Sequence, residues 1–174
     1  MLEKRIKEAI VDVPDFPHEG IIFKDITPIF LEATLCNDII DAFVEKAKGK
    51  VDVVCGIESR GFLFGMGIAN KLGVPFVLVR KVGKLPGETI SQKYDLEYGT
   101  AEIEMNKQYI KKGDRVLIHD DVLATGGTAE ACAELIKQVG GIPAQFSFLA
   151  NIAFLNGDEK IKSYTEDRLS LISY

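Results

Sequence analysis

The sequence predicts an α/β fold: a central, mostly parallel sheet flanked by helices, with a small N-terminal cap and a mobile lid loop. Three observations point there. From residue 51 onward, short apolar runs alternate with segments of helical periodicity, the order of elements that a parallel sheet requires. The runs are nearly continuous in β-branched and other apolar residues, as strands buried on both faces are. Residues 1–34 and 83–98 lack that alternation. The first stretch is punctuated by prolines, and the second is long and rich in Gly, Pro and polar side chains.

Taken in order, residues 2–11 place Leu2, Ile6, Ala9 and Ile10 at helical spacing with charges between, and Pro14 and Pro17 end that helix. Residues 15–30 are short and partly extended, an irregular cap. Ile39, Ile40, Phe43, Val44 and Ala47 mark a second helix that closes near Lys48-Gly49. Residues 51–57 form the first buried strand. Ser59 is placed to cap a helix through Phe62, Phe64, Ile68 and Leu72, ended by Gly73. Further strands are expected over 75–79, 115–118 and 143–153, with a helix over about 128–139 closed by Gly140-Gly141. Residues 154–174 suit a terminal helix and strand that finish the sheet. Right-handed crossovers then join one domain of 174 residues: a cap over about 1–34, a core over about 35–155, and the lid over about 83–98.

Charge and cysteine usage exclude several classes. Lys and Arg number 21 and Asp and Glu 26, a net charge of −5, the wrong sign for a general nucleic-acid surface. Cys36, Cys55 and Cys132 are odd in number and widely spaced, which fits reduced thiols in a cytoplasmic protein and no zinc or disulfide framework. The charged start, Met1-Leu2-Glu3-Lys4-Arg5, leads into no signal-peptide core. The greasiest stretch, residues 146–155, falls short of the roughly 18 apolar residues of a membrane span, so no membrane partner is expected.

In such sheets ligands bind beyond the carboxyl ends of the strands, and the most unusual residues lie there. The stretch is Val116-Leu117-Ile118-His119-Asp120-Asp121-Val122-Leu123-Ala124-Thr125-Gly126-Gly127-Thr128. A buried strand runs into two carboxylates, then a tight turn, then a helix. Gly126 and Gly127 allow positive φ and close approach of an anion to the backbone. The N–H groups of the turn and the helix N-terminus favour phosphate, and Thr125 and Thr128 add hydroxyl donors. Asp120 and Asp121 repel phosphate, so their partners are hydroxyls or a divalent cation. Hydroxyls beside a phosphate describe ribose 5-phosphate, held by Asp120, Asp121, Ala124, Thr125, Gly126, Gly127 and Thr128. No Lys follows the glycines as in a P-loop, and the dinucleotide-binding glycine order is absent.

This stretch resembles the signature of the type I phosphoribosyltransferases, and the chain is similar to the adenine-specific members of that family. The resemblance runs from Asp15 to about Ala150. It includes Asp15-Phe16-Pro17, the blocks GIIFKDITP (20–28), ESRGFLF (58–64), RKVGKLPG (80–87) and LEYGTAEIE (96–104). His119 departs from the pattern, standing where the family has an apolar strand residue, and reads as a local packing or hydrogen-bond variation at the strand end.

The resemblance implies a type I phosphoribosyltransferase-like fold and transfer of a 5-phosphoribosyl group from 5-phosphoribosyl-1-diphosphate to adenine, giving AMP and diphosphate. It also implies Mg²⁺ as cofactor and a homodimer. No direct protein ligand is assured for the metal, which diphosphate and ribose would carry, with Asp120 and Asp121 reaching it through water. Glu58, Ser59 and Arg60 would form a diphosphate loop with a cis peptide at Glu58-Ser59. Arg80, Lys81 and Lys84 would also engage diphosphate, with Arg80 able to serve the neighbouring subunit. Catalysis would rest on Glu97, Tyr98, Arg60, Asp120 and Asp121. Of these, Glu97 would help move the purine proton and Tyr98 would close over the diphosphate, because a lid keeps water from a ribosyl oxocarbenium ion. Ile22, Phe23, Lys24 and Val122 would bind adenine: Phe23 and Val122 by stacking, Ile22 by backbone pairing that favours a 6-amino over a 6-oxo purine. Lys24 stands where relatives can carry Arg. Transfer to xanthine, hypoxanthine or guanine, or a non-catalytic ligand-sensing regulator on the same fold, remain alternatives. A Mg²⁺-dependent phosphatase lacks its early nucleophile motif.

Overall fold

The computed structural model describes residues 1–96 and 99–174, in two units, Met1–Ala42 and Phe43–Tyr174. The first unit opens with α1 (Leu2–Ala9), whose Lys4–Glu8 and Lys7–Glu3 pairs lie one turn apart. The cap is more regular than its composition suggests. Strands β1 (Val11–Pro14) and β2 (Ile22–Asp25) form an antiparallel hairpin, and a 3₁₀ turn (Thr27–Leu31) follows. The loop between them turns on Asp15 at φ 56°, whose carboxylate accepts the Gly20 N–H at 2.7 Å, and the Phe16-Pro17 bond is cis. Helix α2 (Ala33–Ala47) then begins within this unit.

The second unit is built on a seven-stranded sheet. Its strands are β3 (Val53–Ile57), β4 (Phe76–Lys81), β5 (Thr89–Asp95), β6 (Thr100–Asn106), β7 (Arg115–Leu123), β8 (Ile142–Asn151) and β9 (Arg168–Ser173), in the order β5-β6-β4-β3-β7-β8-β9. Strands β4, β3, β7, β8 and β9 are parallel, while β6 and β5 add an antiparallel hairpin at one edge. This is the α/β, mostly parallel architecture expected. Every residue of β3 is buried. Cys55 and Ile57 share a core with Cys132, Leu135 and Ile136 of α4 (Gly127–Gln138). Gly56 lies against the Phe76 ring on the side of α3 (Gly61–Leu72). The short α5 (Gly157–Ile161) and β9 complete the unit, so the C-terminal residues do finish the sheet. Cys36, Cys55 and Cys132 are free thiols, and no helix of the described residues is long and apolar enough to cross a membrane.

Two expectations need correction. Ser59 does not cap α3. The helix starts at Gly61, and its first turn is closed by backbone carbonyls, Phe62 N–H to Ser59 O and Leu63 N–H to Arg60 O. Strand β7 runs five residues past Ile118, because its ladder with β8 continues through Asp120↔Phe148 and Val122↔Ala150. The two acids therefore stand inside the strand's end. The stretch expected as a mobile lid contains strand β5, which pairs with β6 from Thr89↔Asn106 to Asp95↔Thr100. An edge strand with one solvated face has a polar composition, which conceals it.

Candidate active site

Strands β3, β4 and β7 end on the same side of the sheet, and the segments that follow them meet there. After β7 the chain turns through Ala124, Thr125 and Gly126 into α4. This turn encloses a cavity of about 70 Å³ lined by Asp120, Val122, Ala124, Thr125, Thr128 and Phe148, among others. Gly126 stands at φ 82°, and a Cβ there would lie 2.7 Å from Gly157 O. A Cβ on Gly157 would in turn lie 2.3 Å from Ala124 O. Two backbones thus meet with no room for a side chain on either, and the N-terminus of α5 props the turn from behind. Sequence reasoning missed Gly157, since its partner Gly126 lies 31 residues away and nothing local marks it.

The start of α3 approaches β7 as closely. A Cβ on Gly61 would lie 2.8 Å from His119 O and 3.2 Å from Asp120 Oδ1. That approach brings Arg60 to the acids, its Nε 3.0 Å from Oδ2 of the buried Asp121. Asp120 Oδ1 accepts the Asp121 N–H at 2.8 Å. Burial and then the adjacent Asp121 charge push the Asp120 carboxyl well above the usual carboxylate range, with Arg60 pulling it back. An acid raised in this way costs nothing below its unfolded pKa and weakens the fold as pH climbs above it. Asp120→Asn should therefore raise Tm at neutral pH, by about 2–4 °C for each kcal/mol relieved. The gain should vanish below about pH 4. Scanning calorimetry across pH checks this, and a lower Tm at neutral pH would contradict it.

Between β3 and α3 the Glu58-Ser59 peptide is cis, as expected. Glu58 holds the end of β4: Arg80 Nη2 donates to Oε1 at 2.9 Å and the Lys81 N–H to Oε2 at 2.6 Å. Burial would raise the Glu58 carboxyl, but the Arg80 guanidinium and the Lys81 N–H outweigh it and hold it below the usual range. The Arg80 guanidinium also sits 5.9 Å from the centre of the Phe62 ring. Lys84 follows in a turn whose N–H groups meet Glu104.

His119 is fully buried, with Nδ1 2.8 Å from Ser147 Oγ and the Phe43 ring edge-on at 5.0 Å. Burial pushes its pKa down to about 3, so it stays neutral. Glu97 and Tyr98 lie outside the described residues. In the first unit, Ile22 is exposed on β2, Phe23 meets Phe16 edge-on at 5.1 Å, and Lys24 reaches Asp12 at 2.6 Å. Val122 lines the turn cavity in the second unit. Among the described residues, no group of three or more His, Cys, Asp or Glu side chains could hold a metal ion. With Asp121 drawn to Arg60, the acids could offer a cation little more than a water-bridged contact.

The chemistry available is recognition of a phosphorylated, hydroxylated ligand beside a patch of basic groups. Comparison with known proteins agrees. Residues 24–151 match the family model described as the phosphoribosyl transferase domain. A curated relative from Cytophaga hutchinsonii, named adenine phosphoribosyltransferase, is 47% identical over 175 residues, covering 100% of this chain and 97% of the relative. The crystal structure of adenine phosphoribosyltransferase from Thermoanaerobacter pseudethanolicus has a TM-score of 0.94 at 46% identity, covering 99% of each chain. The Saccharomyces cerevisiae adenine phosphoribosyltransferase, solved with an imino-altritol bisphosphate and adenine, has a TM-score of 0.91 at 40% identity, covering 98% of each chain.

Proposed function

The chain belongs to the phosphoribosyl transferase family, and from that premise we propose that it makes AMP and diphosphate from adenine and 5-phosphoribosyl-1-diphosphate. The observation that carries this reading is the pairing of a tight glycine turn at the start of α4 with two strand-end carboxylates and Arg60, in a chain similar throughout to adenine phosphoribosyltransferases. The bond from N9 of adenine to C1′ forms as the bond from C1′ to the diphosphate oxygen breaks, and the purine's ring N–H proton leaves.

In this reading Ala124, Thr125, Gly126, Gly127 and Thr128 hold the 5-phosphate through N–H and hydroxyl donors at the start of α4. Asp120 and Asp121 orient the ribose hydroxyls and offset positive charge developing on the ring. The loop of Glu58 and Ser59, with Arg60, Arg80, Lys81 and Lys84, receives the diphosphate, and Glu58 acts as the partner that orients Arg80. Ile22, Phe23, Lys24 and Val122 bind adenine, Glu97 takes the purine proton, and Tyr98 closes over the diphosphate. Mg²⁺, bound through diphosphate and ribose oxygens, would neutralise charge on the leaving group. A cytoplasmic homodimer, with Arg80 available to a neighbouring subunit, completes the reading.

The test is mass-spectrometric detection of product from adenine, the diphosphate sugar and Mg²⁺. AMP should form with all three present and disappear when either substrate or the metal is withheld. Competing xanthine, hypoxanthine and guanine should leave the AMP yield nearly unchanged. Absence of AMP under full conditions would overturn the assignment.

A further inference from the structure

The carboxylate of Glu104 on β6 is 4% exposed, and its hydrogen-bond partners among the described residues are neutral. Oε1 accepts the Lys84 N–H at 3.0 Å and the Leu85 N–H at 2.9 Å, and Oε2 accepts the Thr89 hydroxyl at 3.1 Å. These donors lie fifteen to twenty residues before it in the chain: Lys84 and Leu85 in the connection between β4 and β5, and Thr89 at the first position of β5. A buried charge without a counter-ion is costly unless hydrogen bonds satisfy it. Here burial alone would raise the carboxyl, yet the donors from Leu85, Thr89 and Lys84 hold it below the usual range. The charge is therefore kept, and what it organises is a turn.

Neighbouring contacts serve the same turn. Asn106 Nδ2 donates to Pro86 O at 2.8 Å, and the Lys107 N–H to Glu88 O at 3.1 Å. In the sheet register Glu104 stands opposite Arg80, whose guanidinium is held by Glu58. The strand that orders the turn is thus paired with the strand that carries the basic cluster.

We propose that Glu104 is a positioning residue for the diphosphate end of the site: its carboxylate clamps residues 84–89 so that Lys81 and Lys84 are held ready at the end of β4. This rests on the transfer reaction proposed above. It divides the segment expected to be a lid, with residues 84–89 as a fixed base.

Glu104→Gln keeps the shape and one acceptor but removes the charge and the second acceptor. The KM for 5-phosphoribosyl-1-diphosphate should rise about tenfold, the scale of losing charge-assisted hydrogen bonds to a turn. The KM for adenine and kcat should stay within about twofold. Hydrogen exchange at the Lys84 and Leu85 amides, measured without substrate, should quicken, while exchange in β3 stays slow. Thr89→Val, which removes one donor and leaves the charge, should move the same quantities less, and it serves if Glu104→Gln fails to fold. Unchanged exchange at Lys84 and Leu85 would overturn the clamp. Faster exchange with an unchanged sugar KM, or with both KM values raised alike, would overturn the positioning role. If the wild-type protein makes no AMP, the reaction assignment fails, while the exchange comparison still judges the clamp.

Discussion

Glu97→Gln should lower kcat by about 10²- to 10⁴-fold, the usual contribution of a positioned general acid or base. The amide matches the carboxylate in size and still accepts a hydrogen bond, but it cannot take a proton at working pH. Adenine N9 becomes a nucleophile only as its ring loses a proton, so the loss should fall on the chemical step. KM for adenine should change by less than about threefold, because an interaction gained only in the transition state leaves ground-state binding alone. The acid limb of the kcat–pH profile, where Glu97 becomes protonated, should disappear. Single-turnover measurements separate chemistry from product release. An unchanged kcat, with chemistry shown to be rate-limiting, would remove Glu97 from the proton path.

The second large effect is expected at Gly126. Valine there must take φ near 82°, a region that costs an L-residue about 1–2 kcal/mol, and a β-branched one more. Its Cβ would also lie 2.7 Å from Gly157 O and 3.2 Å from Gly157 Cα, and backbone yields far less than a side-chain tip. The turn must shift, which misaligns the N–H groups proposed to hold the 5-phosphate. Displacement of such groups by about 1 Å can cost on the order of 10²-fold, so KM for the diphosphate sugar should rise by at least that factor. Ribose 5-phosphate titrated calorimetrically should bind correspondingly more weakly. Gly157→Ala should act in the same direction from the other side of the contact. Normal sugar affinity in a folded Gly126→Val protein would mean that the turn does not hold the phosphate.

Most of the sheet was legible because buried parallel strands announce themselves as apolar runs, and β3 and β8 do so clearly. Strand β5 was not, since an edge strand with a wet face reads as a polar loop. The end of β7 was misplaced for a related reason: Asp120 and Asp121 look like a terminus, yet pairing with β8 carries the strand past them. Glycine function divides the same way. Gly126 was visible within a glycine turn followed by a helix, whereas Gly61 and Gly157 matter only for what lies against them.

By itself, the sequence determined the elements whose physics is local: a strand running into two acids, a turn able to take positive φ, a helix starting directly after that turn, and a net charge of −5 that argues against a broad nucleic-acid surface while allowing a pocket for a compact polyanion. Tertiary structure alone decided who meets whom. Arg60 reaches Asp121, Glu58 orients Arg80, Glu104 gathers the turn at Lys84, and Gly157 backs Gly126. Those partners are 61, 22, 20 and 31 residues apart in the chain. Their meeting depends on strand order and on how closely backbones can approach, and neither is a property of neighbouring residues.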